Sequence, residues 1–338
     1  MVNGLPPTSV HTSGSSTAFA HEVDSLLEIN KVPAAAVAVF KNGKIQEIGT
    51  FGYLVDNVNA PQDAIFNVAS LTKPIVSMLT LKLVQDGKWD LDQPLYSYWV
   101  DEDVKDDPRH KLLTSRHILS HQSGFKNWRS EGQSGKLEFD FEPGTDFRYS
   151  GEGFEYLKKA LESKFGMSLE DMADSLLFKS LNMDDTNFYW DDTIEVNKFA
   201  RWHDANGDNT YKTYRSKSAN AADDLLTTIG DYSKFAAFIL NGGGLSSELY
   251  SEMISTQNKS HHKVKMGLGW EILPGLSGTQ YAMLHTGGDY GVQTLIMLMP
   301  ETGEGIIIFT NGDNGKNLFF PLIENHLSLG PLITGKAE

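Results

Sequence analysis

The chain has 338 residues, 40% hydrophobic and 11% aromatic, enough to bury a large core in one domain or in two interleaved ones. A formal net charge of -15 argues against nucleic acid as a partner, because phosphate binding needs a basic face, and an anionic substrate would have to be met by a local positive site. The absence of cysteine excludes disulfides, thiolate metal sites and a cysteine nucleophile, and no apolar run reaches the roughly 18 residues of a membrane span.

Residues 1–20 are rich in Ser, Thr and Pro, lack the charged-then-apolar build of a signal peptide, and read as a flexible tail or the remainder of a longer precursor. The location is then periplasmic or extracellular if a signal peptide has been removed, and cytoplasmic otherwise. His21–Leu27 reads as a helix. Ala34–Phe40 and Ile45–Tyr53 read as a hairpin about Asn42-Gly43, a dipeptide that takes the left-handed turn antiparallel strands need. Ala64–Val68 is strand-like, and the apolar run from Ile75 to Val84 is helical in its spacing. A loop-rich middle follows, with helices expected at Thr114–Leu119, Gly153–Ser163 and Leu169–Leu177. Tyr281–His285, Gly291–Met299 and Gly305–Thr310 read as strands, with turns at Gly287-Gly288-Asp289 and at Pro300–Gly303, and Asn317–Leu329 as an amphipathic helix. The expected class is α+β. An antiparallel sheet is built from both chain ends (21–81 and 224–338) and flanked by helices, with a mostly helical lobe (82–223) inserted between them. The cleft between two such lobes is where a site belongs.

The chemistry concentrates at Ser70-Leu71-Thr72-Lys73. Residues three apart share a helix face, so Lys73 can lie beside the Ser70 hydroxyl and, when neutral, accept its proton. A lysine does this near neutral pH only if burial or other positive charge holds its pKa down. A helix beginning at the serine would also aim free N–H groups at an oxygen gaining charge, and Pro74 suits a first turn. Two further matches, Ser123-x-x-Lys126 and Ser260-x-x-Lys263, precede no such helix. Tyr149 stands in a glycine-rich turn, Tyr149-Ser150-Gly151, just ahead of a helix. A phenol held near ammonium groups is expected to have a lowered pKa and to pass protons. His285-Thr286-Gly287-Gly288 joins a strand to small residues that let a substrate approach the backbone. Its Gly288 N–H, with that of Ser70, can form an oxyanion hole.

The order Ser70-x-x-Lys73, Tyr149-Ser150-Gly151, His285-Thr286-Gly287 resembles the three signature motifs of the serine β-lactamase and penicillin-binding-protein superfamily. The resemblance is nearest to the branch holding class C β-lactamases, D-alanyl-D-alanine carboxypeptidases and family VIII esterases. Flanking stretches agree, among them His117-Ile-Leu-Ser-His121-Gln-Ser-Gly124, Leu181–Phe188, Asp224–Phe235 and Gly267–Trp270. The resemblance implies the β-lactamase/transpeptidase fold and a hydrolase needing no metal or organic cofactor, acting on a small ester, amide or peptide. It also implies that Ser70 forms the acyl-enzyme, that Lys73 and Tyr149 share the proton traffic, and that the Ser70 and Gly288 N–H groups hold the oxyanion. Ser150, Gly151, His285, Thr286, Gly287 and Gly288 would line the substrate, with His285 tuning Tyr149 or meeting a carboxylate.

Two residues depart from the family pattern. Gly151 stands where an asparagine usually contacts an amide side chain, and His285 where class C enzymes often carry lysine. Both favour esters or small amides over β-lactams. The inserted stretches Trp128–Asp140 and Trp190–Tyr214 offer Trp128, Trp190, Trp202 and Tyr211 either as substrate walls or as packing under long loops. The competing readings are a catalytically silent relative with a binding role, and a metallohydrolase using His117 and His121, although Ile118 stands where the H-E-x-x-H pattern needs glutamate. No G-x-S-x-G elbow supports an α/β-hydrolase.

Overall fold

The computed structural model describes residues 14–55, 58–258 and 262–335. Most of the N-terminal segment and Ser260 of the third S-x-x-K match lie outside them. Asn42 and Gly43 both take positive φ, 51° and 70°, which turns the chain tightly enough to pair β1 (Ala34–Lys41) with β2 (Lys44–Val55). In chain order the other strands are β3 (Val58–Asn59), β4 (Phe66–Asn67), β5 (Leu226–Thr227), β6 (Glu271–Leu273), β7 (Ala282–Asp289), β8 (Val292–Met299) and β9 (Glu304–Thr310). The sheet runs β3-β2-β1-β9-β8-β7-β6 with every pair antiparallel, and β4 pairs with β5 apart from it. The chain ends meet at its centre, where Val37 of β1 faces Ile308 of β9.

β1 is apolar at nearly every position because both of its faces are covered. Ala35, Val37 and Val39 point with Leu295, Met297 and Ile308 into a layer closed by α1 (Thr17–Asn30) and α9 (Phe319–His326). Ala34, Ala36, Ala38 and Phe40 point with Ile296 and Phe309 into a larger core. That core contains α2 (Thr72–Gln85), α7 (Ile229–Leu240), α8 (Ser247–Ile254) and the helices of the middle segment: α3 (Ser115–Leu119), α4 (Gly151–Phe165), α5 (Leu169–Ala173) and α6 (Lys179–Leu181). Every residue of α2 from Thr72 to Leu81 is buried, so this helix is enclosed on all sides rather than amphipathic, and its first turn is fixed from every direction.

Several elements differ from the sequence expectation. α1 begins at Thr17, capped by Ser16, so residues 17–20 are helix and not tail, and the strand expected over Ala64–Val68 is only Phe66–Asn67. Leu169–Leu177 is not one α-helix: α5 passes at Asp174 into a π turn, Asp174–Phe178. The C-terminal helix is shorter than Asn317–Leu329, because Asp313–Leu318 is 3-10 and Leu327 is already extended. Gly287-Gly288-Asp289 is not a turn. These residues continue β7, with Gly288 opposite Gln293 and Asp289 opposite Val292, and the chain reverses at Tyr290-Gly291.

Candidate active site

α2 does not begin at Ser70. The serine sits in a 3-10 turn, Ala69–Leu71, and the α-helix starts at Thr72. The residue before it, Ala69, has φ +47°, a left-handed conformation that costs a non-glycine residue about 1–2 kcal/mol. Several side chains hold this strained turn. Asn67 Oδ1 accepts the Ala69 N–H at 2.7 Å while Asn67 Nδ2 donates to Asp224 at 3.0 Å. The Thr72 hydroxyl donates to the Ala69 carbonyl at 2.7 Å and accepts the Leu225 N–H at 3.1 Å. Tyr232 donates to the Leu71 carbonyl at 2.7 Å, and Thr294 of β8 to the Val68 carbonyl at 2.9 Å. Beneath it, Trp190 and Trp202 pack with Ile65, Ala69, Phe199 and Leu226, so these two tryptophans support the turn.

Lys73 follows one turn later and is wholly buried. Its Nζ donates to Ser70 Oγ at 3.0 Å and to the Ala222 carbonyl at 2.8 Å. Burial pushes its pKa down to about 7, against an opposing pull from the Asp223 carboxylate. Asp223 is itself raised, first by burial and then by its neighbour Asp224. The other described candidate fails on geometry: Ser123 is buried with its oxygen on the Phe125 N–H, while Lys126 pairs with Asp140 at 2.6 Å.

The Tyr149 hydroxyl lies close enough to Ser70 for the serine to pull its pKa down, and the Lys73 Nζ lies 4.6 Å from its ring centroid. Its pKa is nonetheless not lowered. Burial raises it and Asp223 adds to the rise, outweighing the pull of Ser70, so the resting group is a neutral phenol. His285 lies across from it, ring centroids 6.1 Å apart. The His285 Nδ1 is 2.9 Å from the Thr286 carbonyl and therefore carries the proton. Burial and the nearby Lys73 push its pKa down to about 3. A neutral His285 supplies no cation for a substrate carboxylate.

At Gly287 β7 packs tightly against the Ser70 turn. A Cβ there would stand 2.3 Å from Thr294 Oγ1, 2.6 Å from the Val68 carbonyl and 3.1 Å from the Ser70 nitrogen. Its neighbours Thr286 and Gly288 alternate to the exposed side. Ser150 belongs to the scaffold rather than to the substrate face: its buried hydroxyl donates to the Lys126 carbonyl at 2.8 Å and caps α4 by accepting the Gly153 N–H at 3.0 Å. Gly151 is roofed by Trp128, whose ring atoms would lie 2.7–3.0 Å from an added Cβ. Trp128 also borders a cavity of about 350 Å³, and Tyr211 a second of about 270 Å³, which meet at Asp224. The His117/His121 pair does not share a helix face, because α3 ends at Leu119 and His121 turns left-handed, φ +56°.

A family model described as Beta-lactamase matches residues 19–327. The chain belongs to the beta-lactamase family. It is 28% identical over 233 residues to esterase EstB of Burkholderia gladioli, an alignment covering 59% of this chain and 58% of that protein, so the chain spans less than two thirds of EstB's length. Its fold is similar to that of the octameric penicillin-binding protein homologue from Pyrococcus abyssi, with a TM-score of 0.76 and 19% identity over 94% of this chain and 76% of that one. It is also similar to D-amino acid amidase from Ochrobactrum anthropi SV3, with a TM-score of 0.73 and 21% identity over 88% and 92%.

The signature residues of this beta-lactamase-family chain converge, but three neighbours escaped the sequence reading, Asn67, Asp223 and Thr294, and His121, read there only as part of a flanking motif or as a metal ligand, lies against Tyr149. Asn67 stands three residues before Ser70 and was legible as a polar break in an apolar strand. Asp223 and Thr294 reach the site from more than 140 residues away in the chain, and no local pattern marks them.

Proposed function

We propose that the protein is a serine hydrolase that works through a Ser70 acyl-enzyme on esters or small amides. The observation that carries this reading is the 3.0 Å contact between Ser70 Oγ and a buried lysine whose pKa lies near neutrality. Once deprotonated, Lys73 reverses the polarity of that bond and takes the hydroxyl proton as Oγ adds to the substrate carbonyl. The developing oxyanion is met by the Ser70 and Gly288 N–H groups. The neutral Tyr149 phenol then gives its proton to the leaving oxygen or nitrogen and is reprotonated from Lys73. The bond to the leaving group breaks, and an ester on Ser70 remains. Water adds to that ester, its proton passes to the Tyr149–Lys73 pair, and Ser70 departs with the proton returned to it.

The surroundings favour an uncharged or amine-bearing acyl group over one carrying a carboxylate. His285 is neutral, Asp223 stands beside Lys73 with Asp224 next to it, and Asp289 is within electrostatic reach of both carboxylates. Trp128 over Gly151 offers an apolar wall where an amide-binding side chain would otherwise project. The test is intact-protein mass spectrometry with turnover assays, using p-nitrophenyl butyrate and a penicillin on wild type and Ser70→Ala. Ser70-dependent turnover of the ester, faster than of the penicillin, is the expected result. Ester hydrolysis that survives in Ser70→Ala would refute the assignment.

A further inference from the structure

We propose that His121 is the positioning residue of Tyr149, holding the phenol at Ser70 through a three-point clip on residues 148–150. This rests on the acyl-enzyme reading above. The His121 carbonyl accepts the Arg148 N–H at 2.9 Å, and its Nδ1 accepts the Ser150 N–H at 3.1 Å. Between these two bonds the His121 ring lies against the Tyr149 ring, centroids 4.2 Å apart at 31°. Phe147 and Phe154 close on the same imidazole at 6.4 and 5.6 Å, leaving His121 1% exposed. The phenol's backbone is thus fastened on both sides and its ring is stacked, all by one residue.

The position is costly to fill this way. His121 occupies the left-handed exit from α3, where glycine would be unstrained. Because Nδ1 accepts, the proton of the neutral ring sits on Nε2, which is buried without a hydrogen-bond partner among the described residues. Glycine would relieve both costs but would supply neither the acceptor for Ser150 nor the ring for Tyr149. The surrounding loop is built for the same purpose: the Gly144 N–H donates to the Gln122 carbonyl, and the Gly151 N–H to both the main-chain and side-chain oxygens of Asn127. The tyrosine segment therefore hangs from residues 121–127, with His121 the member that touches the phenol.

A positioning role predicts a kcat effect that depends on Tyr149. With p-nitrophenyl butyrate, His121→Ala is expected to lower kcat about 10- to 100-fold, the cost of a misplacement approaching 1 Å, with KM little changed because His121 does not reach the cleft. His121→Asn keeps an acceptor and tolerates the left-handed backbone, and is expected to recover part of the loss. His121→Phe keeps a ring without the acceptor and is expected to recover less. In a Tyr149→Phe background, His121→Ala should cost nothing further. If His121→Ala is poorly folded by near-UV circular dichroism, the Asn and Phe variants carry the same comparison. Equal losses from the His121 substitutions in the wild-type and Tyr149→Phe backgrounds would overturn the positioning role and leave the Ser70 chemistry standing. Tyr149→Phe turning over as fast as wild type, or turnover persisting in Ser70→Ala, would overturn the site reading and this inference with it.

Discussion

Gly287→Ala tests whether β7 and the Ser70 turn are held at catalytic spacing by the absence of one methyl group. The new Cβ would stand 2.6 Å from the Val68 carbonyl, and that atom is backbone, so no rotamer can yield. Restoring ordinary contact at 3.4 Å requires the strand and the turn to part by about 0.8 Å. The Thr294 hydroxyl, 2.3 Å away, must also move, which breaks its bond to the same carbonyl. Overpacking of this kind costs about 1–3 kcal/mol of stability. The catalytic cost is larger in proportion, because the two N–H groups assigned to the oxyanion lie on either side of the gap. Loss of one such donor costs about 100–1000-fold, and displacement by most of an ångström approaches the lower figure. Gly288→Ala is the control. Its Cβ meets nothing closer than 3.5 Å, its N–H is retained, and it points to the other face of the strand. Ester kcat and the urea midpoint of both variants give the answer. If Gly287→Ala keeps kcat within twofold of Gly288→Ala, the spacing is not what organises the oxyanion site.

In the proposed mechanism the active form of Lys73 is the neutral one, so kcat/KM for an uncharged ester should rise about tenfold per pH unit below about 7 and level off above it; a flat profile from pH 5 to 9 would remove Lys73 as the base. The same residue sets a stability trend. From about pH 7 to 10.5 the unfolded chain holds the lysine proton and the folded chain does not, so its unfavourable contribution shrinks as pH rises through that window. The difference in urea midpoint between Lys73→Met and wild type should change accordingly, and a pH-independent difference would contradict it. Asn67→Ala strips the Ala69 N–H and Asp224 of a partner at a buried turn, and is expected to cost about 1–3 kcal/mol in urea unfolding along with a fall in kcat. An unchanged midpoint would show that the Ala69 conformation is held by its other contacts.

Asn42-Gly43 announced the β1–β2 hairpin because the turn's left-handed backbone is a local property of those two residues. Ser70 and Lys73 were legible for a similar reason, since residues three apart share a face, as was the helix expected at Gly153–Ser163, whereas Ser150, expected to line the substrate, turned out to cap that helix. The diglycine at 287–288 was misread, because two glycines in sequence look like a turn. Here the first is small to admit the Val68 carbonyl, an atom 219 residues earlier in the chain, and pairing with β8 keeps both extended. The direction of the Tyr149 shift was misread too: nearby ammonium suggests a lowered pKa, but desolvation, which only packing decides, is the larger effect.

The sequence by itself determined which groups could react and in what order along the chain, because nucleophile, base, phenol and glycine strand are each encoded within a few residues. Only the tertiary structure decided their charge states and their spacing. The lowered lysine pKa, the neutral His285, the strained Ala69 and the clip around Tyr149 all depend on atoms brought from distant segments, and burial and short-range contact have no image in a linear sequence until the chain has closed on itself.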